Sequence, residues 1–399
     1  MLYHLRVLRS KQEAKLPFID LKLRKIMTKT KTENPNAFKH MISEVVVKKM
    51  ASALASADKD FDKKTFVSAT QKLAPLELKQ RVILLREQLK KTLPQSYPKA
   101  LEILLKSLKF NNLSGFDLWP YTEFIQTYGI GNPKASLEAL HEITQLFTGE
   151  FAVRPFLREH PQETLKFLDK CTQDENVHVR RWASEGSRPR LPWGEKLHGH
   201  IKNPELGIRL LEKLKYDDEL YVRKSVANHI NDISKDNPDT VLALLKSWQK
   251  KAPAEHKAKI DWIIRHSLRS LIKAGNPKAL QLIGANLDSK IRLSQFKLRQ
   301  ADLKINETLE FDFIIESEAK KQQKIIIDYA IHFVMANGQH SRKVFKLKNV
   351  ILKPGEKLKI QKRHNLKPIT TRRYNSGVHK LDVQVNGAVL AQKKWTLKA

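Results

Sequence analysis

The amino-acid sequence predicts a mainly α protein: a HEAT-like α-solenoid followed by a small all-β, immunoglobulin-like sandwich. Three observations carry this reading. Apolar residues recur at helical spacing from about Phe38 to Ala285. Two segments 43 residues apart share one pattern, and near residue 288 the period changes to alternation.

In chain order, residues 1–36 read as a disordered or mis-annotated leader. They are basic (Arg6, Arg9, Lys11, Lys15, Lys22, Arg24, Lys25, Lys29) but lack the continuous apolar segment and cleavage site of a secretory signal. Glu13 and Asp20 count against a transit peptide, and Met27, which opens the polar stretch TKTKTENPN, is read as the true start. Residues 37–286 form the helical domain. Within it 41–56, 77–93 and 97–109 repeat apolar positions at three and four, while Pro94, Pro98, Pro120, Pro133, Pro161, Pro204 and Pro238 fall between segments or near helix starts. ENVHVRRWASEG (175–186) aligns with DELYVRKSVANH (218–229), Arg180 on Arg223 and Arg181 on Lys224; WIIRHSL (262–268) is a weaker third copy. Paired helices at this period stack as a solenoid, and cations at equal places would build a stripe along one face.

Residues 287–399 form the sandwich. Leu309, Phe311, Phe313 and Ile315 alternate with polar positions, as do Ile327, Tyr329, Ile331 and Phe333. Asn337–Gly338 and Asn386–Gly387 are hairpin signals, and Tyr374, Gly377 and His379 are similar to the tyrosine corner of immunoglobulin-like domains. Between Ser341 and Arg373 stand twelve Lys or Arg and one acid, Glu356, an imbalance that points to a second nucleic-acid contact.

The 74 Lys and Arg against 42 Asp and Glu give a formal charge of +32, which favours nucleic acid as partner. A single cysteine, Cys171, excludes an internal disulfide framework and suits a reducing cytosol. His198 and His200 have no ligand-spaced Cys or acids around them, so no metal is expected, and no apolar run is long enough for a membrane.

Chemistry concentrates in NVHVRRWASEGSRPRLPW (176–193), which holds Arg180, Arg181, Arg188, Arg190, Trp182, Trp193 and a single acid, Glu185. Glu150, in TGEFAVRPF, and Asp232, in VANHINDISKD, are two further acids beside cationic segments. An acid inside a cationic groove repels DNA unless it does chemistry. The plainer alternative is that each is a helix-surface acid paired to a neighbouring arginine.

HVRRWASEGSRPRLPW, with LWPYTEF and FTGEFAVRPFL upstream and YVRKSVANHINDISKDNPD downstream, resembles the bacterial DNA alkylation repair family, specifically its AlkC branch. The likeness spans about 38–285, and the appended sandwich is similar to the immunoglobulin-like domain of some members. Trp182 stands where a smaller aliphatic residue is expected. The resemblance implies that 37–286 binds DNA and acts as a monofunctional glycosylase, releasing 3-methyladenine and related cationic bases without a base-flipping pocket. It places the catalytic acids at Glu150, Glu185 and Asp232, the lesion-packing tryptophan at Trp193 and a groove arginine at Arg181. Arg154, Arg180, Arg188, Arg190 and Arg223 are phosphate contacts or Arg–acid pairs between repeats. Trp119 either touches DNA or belongs to the core; Asn228 and His229 either reach the groove or support the stack. The expected partner is double-stranded DNA carrying alkylated bases, bound by a monomer in the cytoplasm at the nucleoid, with no cofactor and no metal. The alternatives are a non-catalytic HEAT-repeat protein that binds damaged or branched DNA, and a scaffold for a protein partner.

Overall fold

A computed structural model describes residues 37–369 and 372–398, so the leader expected for 1–36 lies outside the described residues. Helices Glu44–Ala57, Leu78–Thr92 and Tyr97–Ser107 form where the apolar spacing of three and four predicted them. Each buries one stripe: Val47, Met50 and Leu54 in the first, Val82, Leu85 and Leu89 in the second, Leu101 and Leu104 in the third. Local chemistry starts them. Glu77 and Gln80 close a capping box, and Pro98, Pro120, Pro133, Pro161 and Pro238 sit in first turns, where a missing N–H is harmless. One continuous apolar core runs through the stack to Ile264 and Leu268.

The repeat seen in the sequence is a physical one. Helices Val177–Gly186, Leu220–Ile233 and Lys257–Ser267 pack side by side in succession. Arg180 donates to the carbonyls of Asp174 and Glu175, and Arg223 donates to those of Asp217 and Asp218, the same five- and six-residue reach in each repeat. The shared arginine therefore ties down the turn that precedes its own helix. It does not stand free in a cationic stripe.

The helical elements run to Leu282, and eight strands follow: β1 (Ile291–Leu298), β2 (Asp302–Lys304), β3 (Thr308–Ser317), β4 (Gln323–Val334), β5 (His340–Leu352), β6 (Lys357–Asn365), β7 (Gly377–Val385) and β8 (Ala388–Lys398). They make a three-stranded sheet, β1-β3-β6, and a five-stranded sheet, β2-β8-β7-β4-β5, antiparallel except for the β2–β8 pair. Alternation on β3 buries Leu309, Phe311, Phe313 and Ile315 against Ile325, Ile327, Tyr329 and Ile331 of β4. Asn386 and Gly387, both at positive φ, turn β7 into β8.

The two halves are fastened to each other. Ile326, on the outer face of β4, packs on Leu280 and Ala285. Asn386 accepts from the Ile326 amide and donates to the Asn286 carbonyl, while Lys324 donates to the Ile283 carbonyl at 2.6 Å. A Cβ on Gly387 would lie 2.3 Å from the Gly275 Cα, so the junction needs glycine there.

Candidate DNA-binding and catalytic site

Three elements supply the acids. Glu150 lies in the turn before helix Val153–Glu159, Glu185 ends helix Val177–Gly186, and Asp232 ends helix Leu220–Ile233. Successive helices of the stack place them in one cluster, joined by two arginines. Arg181 contacts Glu150 at 2.9 Å and approaches Glu185 at 3.7 Å, its guanidinium resting on the Tyr221 ring. Arg188 bridges Glu185 at 2.5 Å and Asp232 at 2.7 Å. The second oxygens of Glu185 and Asp232 are also held, by Ser225 on Glu185 Oε2 and Lys235 on Asp232 Oδ1, while Thr148 donates to the same Glu150 Oε2 that Arg181 contacts.

Burial governs what these groups can do. Asp232 is 2% exposed, and Glu185 and Arg188 are buried with it. Burial works to lower the pKa of Arg181 and of Arg188, yet the facing carboxylates leave both raised, so both stay cationic. Charges this deep survive only because they are paired and fully hydrogen-bonded.

Helix Val177–Gly186 is followed by an irregular loop that carries Trp193. This tryptophan is 73% exposed and sits at φ +67°. A left-handed conformation in a bulky aromatic residue costs on the order of 1–3 kcal/mol, so surroundings must impose it. Arg154 does so. It is 1% exposed and donates to the carbonyls of Gly186 and Arg188 at 2.8 Å and to that of Glu195, gripping the loop at both ends. Burial lowers its pKa to about 10. Behind Trp193 is a cavity of about 570 Å³ lined by Phe38, Trp119, Glu123, Phe151 and Arg154, among others, but by none of the three acids. Trp119 stacks on Phe151 and is itself buried.

Thus the cluster unites Glu150, Glu185, Asp232, Arg181 and Arg188, whereas the other arginines are engaged elsewhere. Arg180 reaches Asp217 of the next repeat at 2.7 Å, and Arg190 reaches Asp236 at 2.5 Å, both pairs between repeats. Arg154 and Arg223 form no ion pair with an acid of another repeat among the described residues; backbone carbonyls accept from Arg154 and from Nη1 of Arg223. Asn228 accepts from Arg269 at 3.0 Å, and His229, fully buried, faces the Ser184 carbonyl at 3.0 Å. Trp182 fits its helix because Gly149 and Gly186 lie against its indole; a Cβ on Gly149 would crowd the ring, and one on Gly186 would collide with Val153. Sequence reasoning missed Ser225, Lys235 and Tyr221. Only Lys235 left a signal, its i,i+3 spacing from Asp232.

Among solved structures, the chain superposes with a TM-score of 0.85 on Pseudomonas fluorescens alkylpurine DNA glycosylase AlkC, bound to DNA containing an abasic site analog. Identity is 39%, and the match covers 91% of this chain and 100% of that one. The chain belongs to the AlkC family. This AlkC-family protein is also 38% identical over 354 residues to the uncharacterized protein YhaZ of Bacillus subtilis (strain 168), spanning 88% of the chain and 96% of its relative. Residues 292–399 match the family described as the C-terminal Ig-like domain of YhaZ. Among the described residues no helix of this AlkC-family chain is long and apolar enough to cross a membrane, and no cluster of three or more His, Cys, Asp or Glu is placed to hold a metal.

Proposed function

We propose that this chain is a monofunctional DNA glycosylase that hydrolyses the N-glycosidic bond of cationic alkylated bases such as 3-methyladenine in double-stranded DNA. The observation that carries the reading is the gathering of Glu150, Glu185 and Asp232 on Arg181 and Arg188 in a chain of the AlkC family. A base methylated at N3 is already positively charged. The C1′–N bond breaks with its electron pair going to the base, which leaves neutral and needs no acid to activate it. Positive charge then develops on the deoxyribose, and carboxylates set in a water-poor site stabilise it. A water oxygen bonds to C1′, its proton passes to a carboxylate, and an abasic site remains. Glu185 and Asp232 carry the stabilisation and water activation, Glu150 completes the cluster through Arg181, and Trp193 packs its ring on the sugar of the lesion.

Geometry also supports excision without a base-flipping pocket. The cavity behind Trp193 could hold a base, but none of the three acids lines it, and of the three only Glu150 lines the cavity of about 360 Å³ beside Arg181 and Tyr221, so a base turned into either would leave Glu185 and Asp232 behind. The protein works as a monomer in the cytoplasm, at the nucleoid, with the basic strands β5 and β6 as a second hold on the duplex. One observation favours the non-catalytic reading: each acid has a cationic partner, as a structural clamp would. Release of free 3-methyladenine from methylated duplex DNA decides between them. The expected result is release by the wild type and loss on Glu185→Gln or Asp232→Asn with DNA affinity kept or raised. No release by the wild type, with salt-sensitive DNA binding intact, would leave the non-catalytic reading.

A further inference from the structure

Glu150, Glu185 and Asp232 are directly paired with Arg181, Arg188 and Lys235, three carboxylates against three cations. Beyond these, Arg269 stands close enough to feel Asp232 and Arg188 while donating to Asn228. Without DNA, then, the cluster has no excess of negative charge to draw a cationic base, and every oxygen of Glu185 and Asp232 has a donor on it. For the carboxylates to act on a developing cation, one of the covering cations has to move.

Burial decides which. Arg188 is buried between two carboxylates and cannot leave without taking the strongest partner from both. Arg181 is held by Glu150 and by the Tyr221 ring. Lys235 differs from both: its side chain is 45% exposed against the 2% of Asp232, and it holds Asp232 Oδ1 by one contact at 2.9 Å, so its ammonium already borders solvent and can turn outward without being buried elsewhere. It also stands on a cationic rim, since Arg190, Lys196 and Lys235 all act on Asp236. A phosphate arriving there would meet three cations and one acid.

We propose that Lys235 is a phosphate-triggered cap on Asp232. When DNA binds, its ammonium leaves Oδ1 for a backbone phosphate, and the site becomes more negative by one unit where the cationic sugar forms. Binding of the duplex thereby switches on the electrostatics of the cluster. Lys235 acts through Asp232 and is a positioning residue. The inference rests on the glycosylase reading for its purpose, but its movement is testable independently.

Duplex binding is measured against salt for the wild type, Lys235→Met and Lys235→Arg. Each phosphate neutralised adds about 0.9 to the slope of log affinity on log salt. Lys235→Met should lower the slope by about that amount, and Lys235→Arg should keep it. Asp232→Asn should tighten DNA binding about threefold more in the wild-type background than in the Lys235→Met background, because Asp232 competes with phosphate for the ammonium. Equal slopes, or equal gains from Asp232→Asn in the two backgrounds, would overturn the cap and leave Lys235 as a stationary ion pair. Base release from methylated duplex by the wild type, run in parallel, separates the two failures. Release with equal slopes sinks the cap alone, and no release sinks the glycosylase reading whatever the slopes show.

Discussion

The cations of the solenoid and those of the sandwich are the same residue types in opposite conditions. Around Glu185 and Asp232 the guanidinium groups are buried, and side-chain and backbone oxygens take their donors; Arg154, Arg180, Arg188 and Arg223 shape loops and clusters. Along β5 and β6, Lys343, Lys346, Lys348 and Lys359 stand exposed, and no carboxylate forms an ion pair with Lys346, Lys348 or Lys359 among the described residues. A +32 chain is therefore not uniformly adhesive. Its buried arginines set geometry, and its exposed lysines supply the field that a polyanion feels. The difference teaches that counting cations finds the partner and only burial finds the site.

The contrast breaks first at Arg188. Lys235 and Ser225 would still hold Asp232 and Glu185, but each buried carboxylate would lose its strongest partner. Arg188→Met should destabilise the fold by about 3–5 kcal/mol, read by urea unfolding. Adding Asp232→Asn should restore part of that loss, since an amide is cheaper to bury than an unpaired charge. If Arg188→Met alone unfolds at the wild-type midpoint, the cluster is not a clamp.

A slightly smaller effect comes from pH. His200 is buried, its Nε2 has no hydrogen-bond partner, and burial with the nearby Arg154 pushes its pKa down to about 4. A free histidine titrates near 6.5. Between those values the unfolded chain binds a proton that the folded one refuses, so this contribution is whole above about 6.5 and drains away as pH falls toward 4. The loss of this contribution between pH 7 and 4.5 should be about 2 kcal/mol, and His200→Gln should remove it. An unchanged pH dependence in the variant would show that His200 is not part of the dry interior beside Arg154.

Next in size is Trp193. Its exposure and left-handed backbone give it no visible structural duty, so Trp193→Ala should leave unfolding within about 1 kcal/mol of wild type. Base release should fall about tenfold or more. A large stability loss with unchanged release would return this residue to the architecture.

How much of this could be read in the sequence follows the same division. The fold class was legible, because periodicity is a direct imprint of burial: Val47, Met50 and Leu54 on a helix, Leu309, Phe311 and Phe313 on a strand. The cationic setting of Glu150, Glu185 and Asp232 was legible locally, but a catalytic role for them and a groove role for Arg181 came only through the resemblance, since the local pattern equally fits surface acids paired to neighbouring arginines. The use of Arg154 and Arg223 on backbone carbonyls was not legible at all. Sequence shows a cation and its neighbours along the chain, whereas these partners are fixed by loop conformations, the Glu195 carbonyl lying 41 residues from Arg154. Ser225 was hidden for the same reason, 40 residues from Glu185.

The smallest effect tests the sandwich. Lys343, Lys346 and Lys348 follow one another along β5, an edge strand, and Lys273 of the helical part is near enough to help push Lys343 down. Like charges gathered across the junction, with Arg372 among them, weaken the fold slightly and are tolerable if a polyanion binds there. Changing the three β5 lysines to alanine should lower the salt slope of duplex binding by about 0.9 for each that meets a phosphate. Each change should alter stability by no more than about 0.5 kcal/mol, as expected for exposed positions. Base release from saturated enzyme–DNA complex should stay within about twofold, because these lysines are remote from the acid cluster and act on capture alone. An unchanged slope would confine the duplex to the solenoid and make the sandwich charge a matter of solubility.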